Sequence, residues 1–412
     1  MDMSWGRSWS RKLDALCETR DVLADEGFRL FFPLAAVHAA AWPLLWVVAF
    51  GYSLPLAHAI PPGLWHVHEM IIGTFGAALI GFITTAIPEW TDTERLRGRT
   101  LLVLAGLWGS ARLIGLFGIE ALGIVGAICD LLWLGALVVY LAKVSVEKRT
   151  TRLVGFIFWI LCLLLTEAVT RYAFLHIDTM ADIATRAAHL SGFVFLGILG
   201  IALARITVPV TNLVLDPTEQ TTPFRPHPGR INLAPGLVAA LVLAEAAGLS
   251  QATTGYLLIA AGAAFMDRIA EAFVGREIVR SEILVLAGSS AFAGIGLMLI
   301  GGSRLGLPIS ELPGLHLALM GGLGLGVLAV FAIAGLRHTG QALGFVRRTR
   351  VALVLLVAAA LMRAVPEIWP TELLPAPPYA LVTVLWAGAF LLWLRVYWPF
   401  IRDPATFQHD GC

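Results

Sequence analysis

One feature recurs along this chain until little conformational freedom is left: runs of about twenty residues that are almost wholly apolar. Twelve can be marked, near 31–50, 67–88, 100–118, 121–142, 152–175, 185–208, 231–249, 254–272, 281–301, 314–336, 351–366 and 379–400. In hydrocarbon every backbone N–H and C=O must be satisfied within its own segment, so each run is read as a helix. With 58% of 412 residues hydrophobic and 14% charged, the chain has too little polar surface to enclose so much apolar sequence in water. The expected fold is an all-α polytopic membrane protein with about twelve transmembrane helices. The eighth run is the weakest, because Asp267, Arg268 and Glu271 interrupt its end.

Basic residues supply an orientation, since they are retained on the cytoplasmic side. With the N-terminus inside, 24 of the 29 Lys and Arg residues fall in cytoplasmic segments; Arg112 lies within a span and Arg171, Arg186, Arg304 and Arg363 fall outside. Both termini are therefore expected in the cytoplasm. Residues 1–30 mix both charges, lack the pattern of a signal peptide, and read as a cytoplasmic N-terminal segment. Helices 1–6 occupy 31–208, a connector at 209–230 rich in proline follows, helices 7–12 occupy 231–402, and 403–412 form a tail. No sequence repeat relates the halves. Cys17, Cys129, Cys162 and Cys412 have none of the spacings used for zinc, iron–sulfur clusters or covalent haem, so any haem is held non-covalently. A net charge of +1 points to no nucleic acid.

Within this topology the histidines sort by depth. His66 and His68 start helix 2, His189 is early in helix 6 and His316 starts helix 10, all near the outer face, as are His58 and His176. His38 and His338 lie nearer the cytoplasm, and His227 and His409 belong to exposed segments. At 100° per residue, His66 shares a face with Gly73 and Ala77, while His68 faces about the opposite way. They would serve two neighbours, not one ion. Neutral imidazole is a common ligand for haem iron, copper and zinc, so His66, His68, His189 and His316 are the candidate cofactor ligands, with His38 and His338 a second metal site. The plainer reading is an imidazole that satisfies loop carbonyls at headgroup level.

Ionisable residues within membrane helices are costly and demand partners. Glu69, Asp130, Glu167 and Arg112 are candidate proton or charge partners; Arg171 joins them, and buried ion pairs are the safer expectation. Glu69 is placed to bond His66 or to bind a proton or metal, with a structural carboxylate at a helix start as the plainer reading. The glycine run 321–326 implies close packing, because no strand precedes it and no Lys-Ser/Thr follows.

Four segments resemble the NnrS family: Gly27-Phe28-Arg29-Leu30-Phe31-Phe32-Pro33-Leu34; Trp65-His66-Val67-His68-Glu69-Met70, continuing through Gly81 to Thr91; Arg205 to Asn212; and Gly335 to Leu343. The chain departs from the family pattern at Glu89, Asp92, Arg337 and Gln341. The resemblance implies a twelve-helix protein of the bacterial inner membrane, linked to nitric oxide, nitrosative stress and denitrification, with haem and copper as cofactors. The helix count and histidine placement are also similar to the haem-copper oxidase core, although helix 7 has no histidine. The expected partners are membrane lipid and nitric oxide or another small gas; a required electron donor would be a membrane quinol. A proton-coupled secondary transporter, with Asp130, Glu167 and Arg112 lining its cavity, and a metal or oxidase assembly factor are the alternatives.

Overall fold

A computed structural model describes residues 19–49, 60–368 and 378–407. His58, His409, Cys17 and Cys412 lie outside them. The described residues form helices and connecting turns, with no strand. The main helices are α1 (Gly27–Ala49), α2 (Pro62–Thr91), α3 (Arg99–Leu116), α4 (Gly123–Glu147), α5 (Val154–Leu175) and α6 (Ile177–Leu215). They continue as α7 (Leu233–Ala246), α8 (Gln251–Asp267), α9 (Ser281–Arg304), α10 (Leu312–Arg337), α11 (Arg347–Ile368) and α12 (Tyr379–Ile401). Among the described residues eleven spans are long and apolar enough to cross a membrane, that of α7 being counted from the 3-10 turn at Pro228. The exception is α8, with 17 residues, where Arg268 to Ala272 tighten into a 3-10 turn at the charges that weakened the eighth run.

Successive helices pack on one another, and α12 returns to α1, so the bundle closes on itself. The most deeply buried helices are α2 and α10. Small residues set the closest approaches. A Cβ at Gly27 would fall 1.9 Å from Thr84 Oγ1, which ties the start of α1 to α2, and Phe28 N–H donates to Thr85 Oγ1 at 2.8 Å. Between α8 and α9, a Cβ at Gly262 would lie 2.6 Å from the Gly294 carbonyl. In lipid, where no hydrophobic force draws helices together, such backbone approach gives the packing its strength.

The sixth helix runs past its expected end. It carries Pro209 inside and continues to Leu215, so the connector begins at Asp216. Asn212 then pins the connector back: its amide donates to the Phe224 carbonyl at 3.1 Å and its Oδ1 accepts from Phe224 N–H at 2.7 Å.

Two helices change winding at matching places. In α2 the residues Glu69–Phe75, directly after His68, are π-helical, and in α10 the residues Leu317–Gly324, directly after His316, are too. Such π turns leave carbonyls that need other donors. Trp108 Nε1–H supplies one, to Gly73 O at 3.0 Å; the Ser289 hydroxyl supplies the other, to Gly322 O at 2.8 Å. The π winding also corrects the expected register of α2. Gly73 is turned toward His38 on α1, where an added Cβ would meet the imidazole at 2.4 Å, and it does not share the surroundings of His66.

Candidate functional site

Charged and imidazole side chains deep within α1 to α5 assemble into one buried network. Glu69 Oε2 receives His38 Nε2 at 3.2 Å and Arg112 Nε at 3.2 Å, while its Oε1 lies 3.1 Å from His68 Nδ1. Arg112 Nη2 reaches Asp130 Oδ2 at 2.5 Å; Arg171 meets the same oxygen and donates from Nε to Glu167 Oε1 at 2.9 Å. Trp133 Nε1–H donates to Asp130 Oδ1 at 2.9 Å, and His68 Nε2 lies 3.0 Å from Glu167 Oε1. Glu69, Asp130 and Glu167 are wholly buried, as is His68. The expected buried pairs are thus present. Glu69 bonds His38 and His68.

His68, Asp130 and Glu167 bring ligand atoms within 4.8 Å of one another, close enough for a metal. The charge environment argues otherwise: two guanidinium groups already neutralise those carboxylates, and both His68 nitrogens face carboxylate oxygens. That geometry is satisfied by a ring donating from both nitrogens, which leaves no lone pair for a metal.

The expected meeting of imidazoles from α2, α6 and α10 is realised only in part. His66 and His316 are electrostatic neighbours, each also within reach of Arg363, whose guanidinium is paired with Glu367 at 2.5 Å. His316 Nδ1 bonds the Leu312 carbonyl at 2.9 Å, which fixes the ring with Nε2 outward. His189 is not with them. Its α6 face includes Gly200, which packs against Pro235 and Phe265 of α7 and α8, and its charged neighbours are Glu311, Arg304 and Glu245. The α6 face that does meet α2 and α10 is that of Gly192, beside Ile71 and Leu319. Met70 and Met320 each follow a histidine, His66 or His316, by four residues.

Nor do His38 and His338 form a pair. His38 Nδ1 bonds Thr74 Oγ1 at 2.9 Å within the network, whereas His338 packs on Phe28, ten residues earlier on α1, about 15 Å along the axis.

His338 instead lines a cavity of about 650 Å³ between α2, α6 and α10. Its Nδ1 is 2.9 Å from Glu26 Oε1, a buried carboxylate, and its Nε2 is 3.8 Å from Glu89. All four sequence segments that carry the family resemblance reach this space, through Phe32, through Thr85, Glu89 and Trp90, through Arg205 and Asn212, and through Arg337 and His338. Phe82, Ile206 and Val330 line both this cavity and a narrow apolar cleft of about 50 Å³ that continues between the same helices toward Phe75 and Leu323. On the connector, Asp216 lines the cavity, and hydrogen bonds from Thr218 and Thr221 hold its carboxyl at about 2, below the ordinary 3.8. Asp130, Glu167 and Arg112 do not line this cavity, contrary to what a transport pathway through them requires.

Neither a curated protein nor a solved structure matches the chain. A family model described as NnrS protein matches residues 22–404, from the helical turn before α1 to the turn after α12. That match takes in α1 to α12, the buried network and the cavity, and the chain belongs to the NnrS family.

Proposed function

We propose that this chain is a haem-binding protein of the bacterial inner membrane that acts in the response to nitric oxide, including nitrosative stress and denitrification, with its haem in the His338 cavity. Family membership supports the nitric-oxide role. The observation that carries the location is the convergence of all four family segments on a cavity containing an imidazole backed by a buried carboxylate. Metal-ligating histidines commonly have a carboxylate beside the ring nitrogen that does not face the metal, as Glu26 stands beside Nδ1 of His338. The volume of about 650 Å³ lies within the range of cofactor pockets. The cleft of about 50 Å³ nearer the other histidines is too small for a macrocycle. When bound, haem supplies an iron centre able to take up nitric oxide or exchange an electron. The chain's own part is to orient His338 through Glu26 and to enclose the ring between Phe82, Ile206 and Val330.

The test is the optical spectrum of the detergent-purified protein, with hemin added where needed. A Soret band is expected in the native chain and in H66A and H316A, and is lost in H338A. A Soret band untouched by H338A would overturn the assignment.

A second centre follows from one feature: His66 and His316, which influence each other electrostatically, are each followed after four residues by a methionine. Imidazole with thioether is a ligand set that suits Cu(I).

A further inference from the structure

We infer that Arg152 and Arg205 form an acid-recognition subsite at the mouth of the His338 cavity, which takes the carboxylate or phosphate groups of an otherwise apolar occupant.

Both arginines line the cavity. Arg205 Nη2 donates to the Arg152 carbonyl at 3.0 Å, which fastens α6 to the segment before α5 and holds the two guanidinium groups within repulsive reach of each other. Among the described residues no carboxylate lies within ion-pair distance of either. The other charges around the cavity are already engaged. Arg337 pairs with Glu219 at 2.9 Å; Asp216 accepts from Thr218 and Thr221; Glu89 lies beside His338. Two adjacent forks without an acid are matched by a planar carboxylate pair or a phosphate, which each can grip through two N–H groups.

The rest of the space is apolar. Behind the arginines come Phe82, Ile206 and Val330, and then the cleft toward Phe75 and Leu323. Arg152 is exposed, while these walls are buried or half-buried. The site therefore has a direction, with acid at the mouth and apolar body within. If the haem reading above holds, on which the name of the occupant rests, the acid groups are its two propionates. A membrane phospholipid presents the same chemistry through its phosphate.

The experiment titrates the full-length protein in detergent with hemin and with haem dimethyl ester, whose propionates are esterified, following absorbance. Hemin is expected to bind at least tenfold more tightly than the ester. R152Q/R205Q should lose that preference by weakening hemin alone, and R152K/R205K should recover most of it, which separates loss of charge from loss of fold. Equal affinity for hemin and ester, or hemin binding unchanged in R152Q/R205Q, would overturn the subsite. If the native protein binds no hemin, the haem reading falls and the subsite is judged by native mass spectrometry. Phosphatidylglycerol retained by the native chain and lost from R152Q/R205Q would then uphold it. Retention that is equal in the two chains, or equal for phosphatidylcholine, would end it, and inorganic phosphate displacing the lipid at equal concentration would refute an apolar occupant.

Discussion

His68 and Glu167 stand ninety-nine positions apart in the chain, yet Nε2 of one lies 3.0 Å from Oε1 of the other, deep between α2 and α5. On its other side the same imidazole meets Glu69 at 3.1 Å. Counted with Asp130, Arg112 and Arg171, the group holds three carboxylates against two guanidinium groups, and a doubly protonated His68 makes the sum zero. Removing one partner strands charge that water cannot reach. Glu167→Leu is expected to cost about 3–5 kcal/mol, read as a lowered thermal midpoint in detergent. The Soret band of the hemin-loaded variant, measured below that midpoint, should keep its position, since the network does not line the cavity. A native-like midpoint would show that the network contributes little to stability.

The π turn of α2 depends on a donor from α3. Trp108→Phe keeps the ring and removes the N–H that Gly73 O accepts. A buried carbonyl left unsatisfied costs about 1–3 kcal/mol. Loss of stability in that range is expected, and hydrogen exchange should quicken first around residues 69–75. Exchange that stays as slow as in the native chain would show that the π winding needs no outside support.

Copper at the second centre should depend on His316 and His66 alike. In the native protein one copper per chain is expected by elemental analysis under reducing conditions. H316A or H66A should drop this by at least tenfold, with Met320→Leu having a smaller effect because a thioether is a weaker ligand than imidazole. H189A should leave copper unchanged, since its face of α6 looks toward α7 and α8. Copper lost in H189A but kept in H66A would refute the placement.

The connector has its own pH dependence. Because hydrogen bonds from Thr218 and Thr221 lower the Asp216 carboxyl to about 2, they favour the ionised form. Their ordering of the connector is fully present above the ordinary carboxylate range and is lost as pH falls through about 2. Residues 216–222 should show the same exchange protection at pH 7 and pH 5, after correction for intrinsic rates, and lose it only near pH 2. Asp216→Asn, which turns an amide donor toward Thr218 or Thr221, should expose the connector to protease at neutral pH. Protection that fades already at pH 4 would contradict the depressed value.

The helices were legible in the sequence because lipid admits few alternatives: about twenty apolar residues in a row mean a helix wherever they occur. Even the short α8 announced itself through Asp267, Arg268 and Glu271. The buried pairs of Asp130, Glu167, Arg112 and Arg171 could be expected for the same reason, as lone charges there are too costly. What escaped were features decided by winding and by side-chain direction. Face arithmetic at 100° per residue assumes an unbroken α-helix, and the π turns after His68 and His316 cancel it, so Gly73 turns to His38. Equal depth placed His189 with His66 and His316, but depth says nothing about azimuth, and Gly200 shows which way that face looks. The cavity escaped because its walls come from residues 32 to 338, which no local pattern joins. One signal was present all the same: the four family segments, read as separate matches, meet around a single space.

The length of α6 bears on how that space is reached. Beyond a kink at Met180 it runs on to Leu215, roughly 52 Å at about 1.5 Å per residue, well over a hydrocarbon core of about 30 Å. Its uninterrupted apolar stretch ends at Arg205, and the turns from Arg205 to Leu215, which lead into the connector, form one wall of the cavity. For the occupant proposed above, the entrance is then at the connector end of the bundle, beside the exposed Arg152, and loading requires no parting of the helices.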